Sequence, residues 1–182
     1  MQTVLMIETR AAAAEKRAET IHEILRSNDV EIVAHVPDGG HATLIARCEA
    51  DRALQTVVLT TEEEGVALAA GSWLGGKRAV LLIQSSGVGN IINALSLTDS
   101  GKFPLLMIVT MRGEWGEQMA WQVPMGRATR SVLEAMGVMV YEAERDEDVA
   151  EIVEAGASLA FGSMLAVAVL ISQRILGTKK FD

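Results

Sequence analysis

The sequence predicts an α/β protein, a three-layer α/β/α fold built on a mostly parallel six-stranded sheet. Three observations predict it. Six short apolar runs recur along the chain, and most are continuous Val/Ile/Leu stretches rather than apolar–polar alternations. Strands covered on both faces read this way. Helix-length amphipathic stretches separate the runs, and strict strand–helix alternation makes a parallel sheet with helices on both faces. No repeat, low-complexity tract or linker interrupts the 182 residues. That length suits one domain, expected to span 1–182.

The runs place strands at Ile32–His35, Thr56–Leu59, Ala79–Gln84, Pro104–Thr110, Val138–Tyr141 and Leu165–Ile171. Helices are expected near Ala12–Ser27, His41–Ala50, Glu63–Leu74, Asn90–Ser100, Gly126–Met136 and Glu147–Ala160. The first is the clearest amphipathic case. Ile21, Ile24 and Leu25 share one side, and Glu15, Lys16, Arg17, Glu19 and Glu23 lie elsewhere. No charge falls between Ala155 and Gln173, an interval near the length of a membrane span. Gly162-Ser163 divides it into a helix and the β-prone run MLAVAVLIS, and no basic cluster flanks its N-terminal side. This predicts buried core rather than a membrane element.

Composition narrows the function classes. Lys and Arg number 16 against 24 acids, for a net charge of -8. An acidic surface argues against nonspecific binding to DNA, RNA or anionic membranes. Three Trp, three Phe and one Tyr are too few for an aromatic stacking platform. The single cysteine, Cys48, allows no internal disulfide, so a cytoplasmic setting is expected, with Cys48 as a small core residue. The histidines, at 22, 35 and 41, make no ligand set, and His22 on its charged helix is expected to be exposed. Metal and hydrolase signatures such as H-E-x-x-H, C-x-x-C and G-x-S-x-G are absent.

Ligands of such sheets bind beyond the carboxyl ends of the strands, so the residues after each strand carry the information. V-P-D-G-G-H follows the first strand; it reads as a tight turn in which Asp38 could cap the next helix. T-T-E-E-E-G-V-A-L-A-A-G follows the second. Its three acids suit the positive end of a helix dipole. The small apolar body behind them must pack closely, so at least one acid is positioned to face an interface. Q-S-S-G-V-G-N follows the third strand; its glycines allow close backbone approach before a helix at Gly89 or Asn90. It is neither the G-x-G-x-x-G fingerprint nor a Walker loop. A long loop, Met111 to Gly126, follows the fourth strand and holds Arg112, Trp115, Trp121 and Gln122. Loops of this length are usually functional or mobile. Arg112 could grip an anion or pair with Glu114 or Glu117.

Taken together, VPD at Val36–Asp38, EEEGVALAAG at Glu62–Gly71, QSSGVGNIINAL at Gln84–Leu95 and RGEWGE at Arg112–Glu117 form a pattern. The chain resembles the pyrimidine-binding (Pyr) domain of thiamine diphosphate-dependent 2-oxo acid decarboxylases, nearest to the branch acting on sulfopyruvate and phosphonopyruvate. The ending ISQRILGTKKF extends the likeness to nearly the whole chain. The resemblance implies that a glutamate after the second strand hydrogen-bonds N1′ of the cofactor's aminopyrimidine and so activates it. Spacing to Ala70-Gly71 aligns that glutamate with Glu62, with Glu63 second. It also implies that Ser86, Gly87, Gly89 and Asn90 border the pyrimidine ring, and that Arg112 and Gln122 face the substrate. The loop lacks the histidine carried near this point by the phosphonopyruvate branch.

The resemblance has a missing half. The family binds the diphosphate and Mg2+ on a second (PP) domain marked by G-D-G, and no G-D-G occurs here. The chain is therefore expected to be an alpha subunit, inactive alone. A PP-domain beta subunit would complete the site, and Pyr domains would self-associate through the VALAAG helix. The implied substrate is a small acidic 2-oxo acid. Two other readings compete: a Rossmann-like nucleotide-binding domain using Ser85–Asn90, and a noncatalytic regulatory relative of the Pyr domain.

Overall fold

The computed structural model describes residues 2–178, and side chains from residue 10 onward. In chain order the elements are α1 (Gln2–Ser27), β1 (Val30–His35), α2 (Ala42–Ala50), β2 (Gln55–Val58), α3 (Glu62–Leu74), β3 (Arg78–Gln84), α4 (Ser85–Ile91), α5 (Ser96–Gly101), β4 (Leu105–Thr110), α6 (Gln122–Ala135), β5 (Met139–Ala143), α7 (Val149–Ser163), β6 (Ala166–Ile171) and α8 (Gln173–Leu176). The six strands form one sheet in the order β2-β1-β3-β4-β6-β5, and every neighbouring pair is parallel. This is the expected three-layer fold.

Side-chain alternation along the strands fills two cores. On one face Val33, Val80, Leu82, Leu106, Ile108, Val167 and Val169 pack with the apolar sides of α1, α2 and α7. On the other face Ala34, Leu81, Ile83, Met107, Val109 and Leu170 pack with α3, α4 and α6. β4 and β6 are buried along their whole length, which explains their unbroken apolar sequences. β2 lies at the sheet edge, and its Val58 is exposed. Gly156 lets α7 approach the sheet closely, since a side-chain carbon there would stand 2.7 Å from Val169.

All six strands fall where the apolar runs put them, to within a few residues. The helices differ more. α1 begins at Gln2, ten residues before the amphipathic stretch suggests. The expected helix Asn90–Ser100 is two short helices, α4 and α5, and α4 starts at Ser85 directly from β3. α6 starts at Gln122, which shortens the loop after β4. α7 runs through Gly162-Ser163 and stops where Met164 turns left-handed, with φ 56°. α8, after β6, has no counterpart in the apolar pattern. The likeness in ISQRILGTKKF runs into residues outside those described.

Cys48 is a fully buried core residue, and burial pushes its thiol up to about 12. His22, expected to be exposed, is half-buried beside Asp51, with Nε2 3.0 Å from Oδ2. No helix among the described residues is long and apolar enough to cross a membrane. The uncharged stretch before Gln173 is instead α7 and β6.

Candidate active site

The chain runs from β1 outward to β2, then returns to place β3 on the other side of β1. The strand order reverses between β1 and β3, and parallel sheets leave a crevice beyond the carboxyl ends at such a point. Asp38 follows β1 there, and Gln84 closes β3. Gln84 donates Nε2 to Asp38 Oδ1 at 2.7 Å, and Thr110 at the end of β4 donates Oγ1 to Asp38 Oδ2 at 2.6 Å. The turn residue therefore caps no helix; it joins three strand ends. Burial works to raise the Asp38 pKa. The Thr110 hydrogen bond, nearby His41, and hydrogen bonds from Gln84 and Gly40 outweigh it and hold the carboxyl below its usual range.

The three acids opening α3 divide three ways. The helix turns Glu62, Gly65, Val66, Ala69 and Ser72 inward. Gly65 permits this seating, because a carbon there would stand 2.4 Å from Leu81 Cδ1. Glu62 is thus carried into the buried stripe by register, and is 8% exposed. Glu63 is exposed. Glu64 turns back to accept the Thr60 amide at 2.8 Å, satisfying a free donor near the helix start.

α4 meets Glu62 from the next strand. Asn90 donates Nδ2 to Glu62 Oε2 at 2.8 Å. Gly87 is buried against the same carboxylate. Gly89 is exposed, and a carbon there would meet Met125 Sδ at 3.4 Å, an ordinary contact. Ser86 donates Oγ to Gln84 Oε1 at 2.9 Å, and Gln122 donates Nε2 to the same oxygen at 3.1 Å. Gln84 therefore links Asp38, Ser86 and Gln122. Gln122 is buried, and its Oε1 has no hydrogen-bond partner among the described residues.

Arg112 is largely buried. Its Nε and Nη2 donate to Glu117 Oε2 and Oε1, both at 2.5 Å, in a buried fork. Glu117 also accepts from the amides of Gly113 and Met119 and from Gln173 Nε2. The Arg112 hydrogen bonds, aided by these donors, hold its carboxyl at about 2 despite burial. Glu114 accepts from Ser172 Oγ and the Gln173 amide, and Gln173 Oε1 accepts the amides of Glu114 and Trp115. The loop after β4 is thereby pinned to the β6–α8 junction. Gly113, at φ 81°, lies so close to Gln122 that a carbon there would stand 2.2 Å from its carbonyl oxygen.

The structure thus gathers Glu62, Gly87 and Asn90 at one spot and links Ser86 to Gln122 at another. Arg112 lines a cleft of about 140 Å³ with Arg17, Asp38, Gln84, Thr110 and the Gly39-Gly40 turn. Sequence reasoning missed Asp38, Gln84 and Thr110 as a unit, and it missed the depth of the Arg112–Glu117 pair. Asp38 at a strand end was the one available signal. No group of three His, Cys, Asp or Glu suited to a metal exists among the described residues.

Comparison with known proteins places the fold in a family. Residues 15–134 match the family model "Thiamine pyrophosphate enzyme, N-terminal TPP binding domain". Sulfopyruvate decarboxylase subunit alpha of Methanococcus maripaludis is 30% identical over 155 residues, 85% of this chain and 93% of that one. The subunit alpha of Methanothermobacter thermautotrophicus is 34% identical over 155 residues, 85% of this chain and 94% of that one. Phosphonopyruvate decarboxylase of Streptomyces hygroscopicus is 43% identical over 90 residues, 49% of this chain and 22% of that protein. Among solved structures, 2-oxoglutarate:ferredoxin oxidoreductase from Magnetococcus marinus has the same fold at 16% identity, with a TM-score of 0.70. The match covers 88% of this chain and 29% of that chain. The chain belongs to the thiamine pyrophosphate enzymes, in the family of their N-terminal TPP-binding domain.

Proposed function

We propose that this chain is the Pyr (alpha) subunit of a heteromeric thiamine diphosphate-dependent decarboxylase acting on sulfopyruvate, phosphonopyruvate or a similar acidic 2-oxo acid. The observation that carries it is the Glu62 carboxylate: buried, fixed by Asn90, and lying against a glycine where any side chain would displace it. These residues fit the aminopyrimidine ring of the cofactor. Glu62 would hold the proton shared with N1′, and Ser86, Gly87, Gly89 and Asn90 would border the ring. Bound thiamine diphosphate would supply the nucleophilic carbon and the electron sink for loss of carbon dioxide. The protein supplies position, a fixed carboxylate and exclusion of water.

The substrate side is the cleft at the β1–β3 crevice. Arg112 forms part of its wall, and Gln122 backs Gln84 with an unpaired oxygen. The sequence has no G-D-G, and no group of three His, Cys, Asp or Glu among the described residues suits a metal. These support assigning the diphosphate and Mg2+ to a PP-domain beta subunit, with this chain, 1–182, as one Pyr domain. The outer face of α3 supports self-association: Ala67, Gly71 and Leu74 recur at helical spacing and are exposed, Leu74 at 88%. The relatives named subunit alpha support a heteromer, and the single cysteine supports a cytoplasmic setting.

The test uses the chain assembled with a G-D-G-bearing beta subunit, thiamine diphosphate and Mg2+. Glu62→Gln should lower turnover about 100-fold or more, the range for loss of an acid–base group. Glu63→Gln should stay within about twofold, since that side chain faces solvent. Normal turnover in Glu62→Gln overturns the assignment of Glu62. Tight cofactor binding and decarboxylation by the single chain overturn the need for a partner.

A further inference from the structure

The cleft holds an unbalanced set of charges. Its charged lining residues are Asp38, Arg17 and Arg112. Asp38 is held ionised by its donors, so an oxo acid with two negative groups would be repelled there unless a cation faces it. Arg112 cannot serve fully. Two of its nitrogens are committed to Glu117, whose side chain is 3% exposed and takes three further donors. That charge is already matched inside the protein.

Arg17 differs. It comes from the middle of α1 and lines the cleft beside Asp38 and Arg112. Its side chain is 11% exposed, and its partner is Asp146 Oδ1, reached through Nη1 at 2.5 Å. Asp146 is 44% exposed and lines two neighbouring surface grooves, which Arg17 also borders, whereas only Arg17 of the two reaches the cleft. Solvent weakens such an outer carboxylate as a counter-charge. Nε and Nη2 of Arg17 have no partner among the described residues. A guanidinium with two donors unused among the described residues, at the border of a cleft, suits the oxygens of a sulfonate, phosphonate or carboxylate.

We propose that Arg17 is the specificity-determining residue of this chain, binding the second acidic group of the substrate, the one remote from the 2-oxo acid carboxylate. This rests on the decarboxylase reading above and names a residue that the motif pattern does not include. Arg17 does no chemistry. It selects doubly acidic oxo acids over pyruvate, which carries a methyl group at that end.

The experiment compares sulfopyruvate with pyruvate in the assembled enzyme, together with equilibrium binding of sulfoacetate, which has no 2-oxo group to react. Arg17→Gln should raise KM for sulfopyruvate about 10- to 100-fold, the worth of one charge-assisted bidentate contact. Its kcat should change by less than about threefold, and kcat/KM for pyruvate should fall by a much smaller factor than that for sulfopyruvate. Sulfoacetate binding should weaken in parallel, and Arg17→Lys should recover part of it. Asp146→Asn frees Arg17 without removing it, so it should bind sulfoacetate as well as the unmodified protein or better.

Equal losses on both substrates in Arg17→Gln, or the same loss in Asp146→Asn, would reduce Arg17 to a structural ion pair and overturn the proposal. If sulfopyruvate is turned over and its preference over pyruvate survives Arg17→Gln, this assignment falls and the decarboxylase reading stands. If sulfoacetate binds through Arg17 but no oxo acid is decarboxylated, the decarboxylase reading falls and the anion site stands.

Discussion

The Glu62 carboxylate occupies the space that any side chain at position 87 would need: a carbon on Gly87 would stand 2.2 Å from Glu62 Oε1 and 2.4 Å from Cδ. α4 can press onto the acid only because that carbon is missing. Gly87→Ala should therefore act on the site rather than on the fold. The end of a glutamate side chain can swing away, so the helix survives and the carboxylate moves. A displacement near 1 Å at a reacting group costs about 100-fold. Steady-state rates of the assembled enzyme should fall by that order, and the urea midpoint should stay near that of the unmodified chain. Gly89→Ala is the control, because its added carbon makes only ordinary contact with Met125. Full activity in Gly87→Ala would separate Gly87 from the site.

Those two glycines also show what the sequence could and could not carry. They suggested a turn before a helix at Gly89 or Asn90. Neither has a positive φ, and both lie within α4. The need at Gly87 is steric and is created by a residue 25 positions earlier in the chain, so local composition cannot express it. The strands were legible because burial on both faces forces continuous Val, Ile and Leu, as in Leu105–Thr110 and Ala166–Ile171. Glu62 was legible only through its alignment with Ala70-Gly71, yet its register with Gly65, Val66 and Ala69 independently separates it from Glu63 and Glu64. The Asp38–Gln84–Thr110 cluster was not legible. Its hydrogen bonds join residues 46 and 72 positions apart, and the strand order alone brings them together.

The Arg112–Glu117 pair should show in acid stability. The Arg112 hydrogen bonds lower the Glu117 carboxyl from 4.5 to about 2. A group with a depressed folded-state pKa stabilises fully above its unfolded pKa and loses that contribution as pH falls through the folded value. The contribution is therefore whole above about pH 5 and fades between about pH 4.5 and 2. Glu117→Gln removes it and leaves a buried guanidinium without its hydrogen-bonded counter-charge, a change of about 3 kcal/mol at neutral pH. Urea midpoints taken from pH 7 down to pH 2 should converge for the two proteins at the acid end. Parallel curves across that range would show that the pair contributes nothing to acid sensitivity.

Gly71 lies inside α3, is exposed, and has no atom within 4 Å of where its side-chain carbon would sit. For a chain that worked alone this is a costly choice. Glycine in a helix interior is about 1 kcal/mol worse than alanine, and here alanine would meet nothing. Gly71 shares its face with Ala67 and Leu74, so the missing carbon permits close approach by a second helix. Two effects of opposite sign should follow from Gly71→Ala. The isolated chain should gain about 0.5–1 kcal/mol in urea unfolding. Its self-association, measured by sedimentation equilibrium, should weaken, because each added methyl holds the two helices apart. Leu74→Ser, which removes exposed apolar area from the same stripe, should weaken association as well, with stability changed by no more than about 0.5 kcal/mol. A stabilised Gly71→Ala chain that associates as tightly as before would remove α3 from the interface.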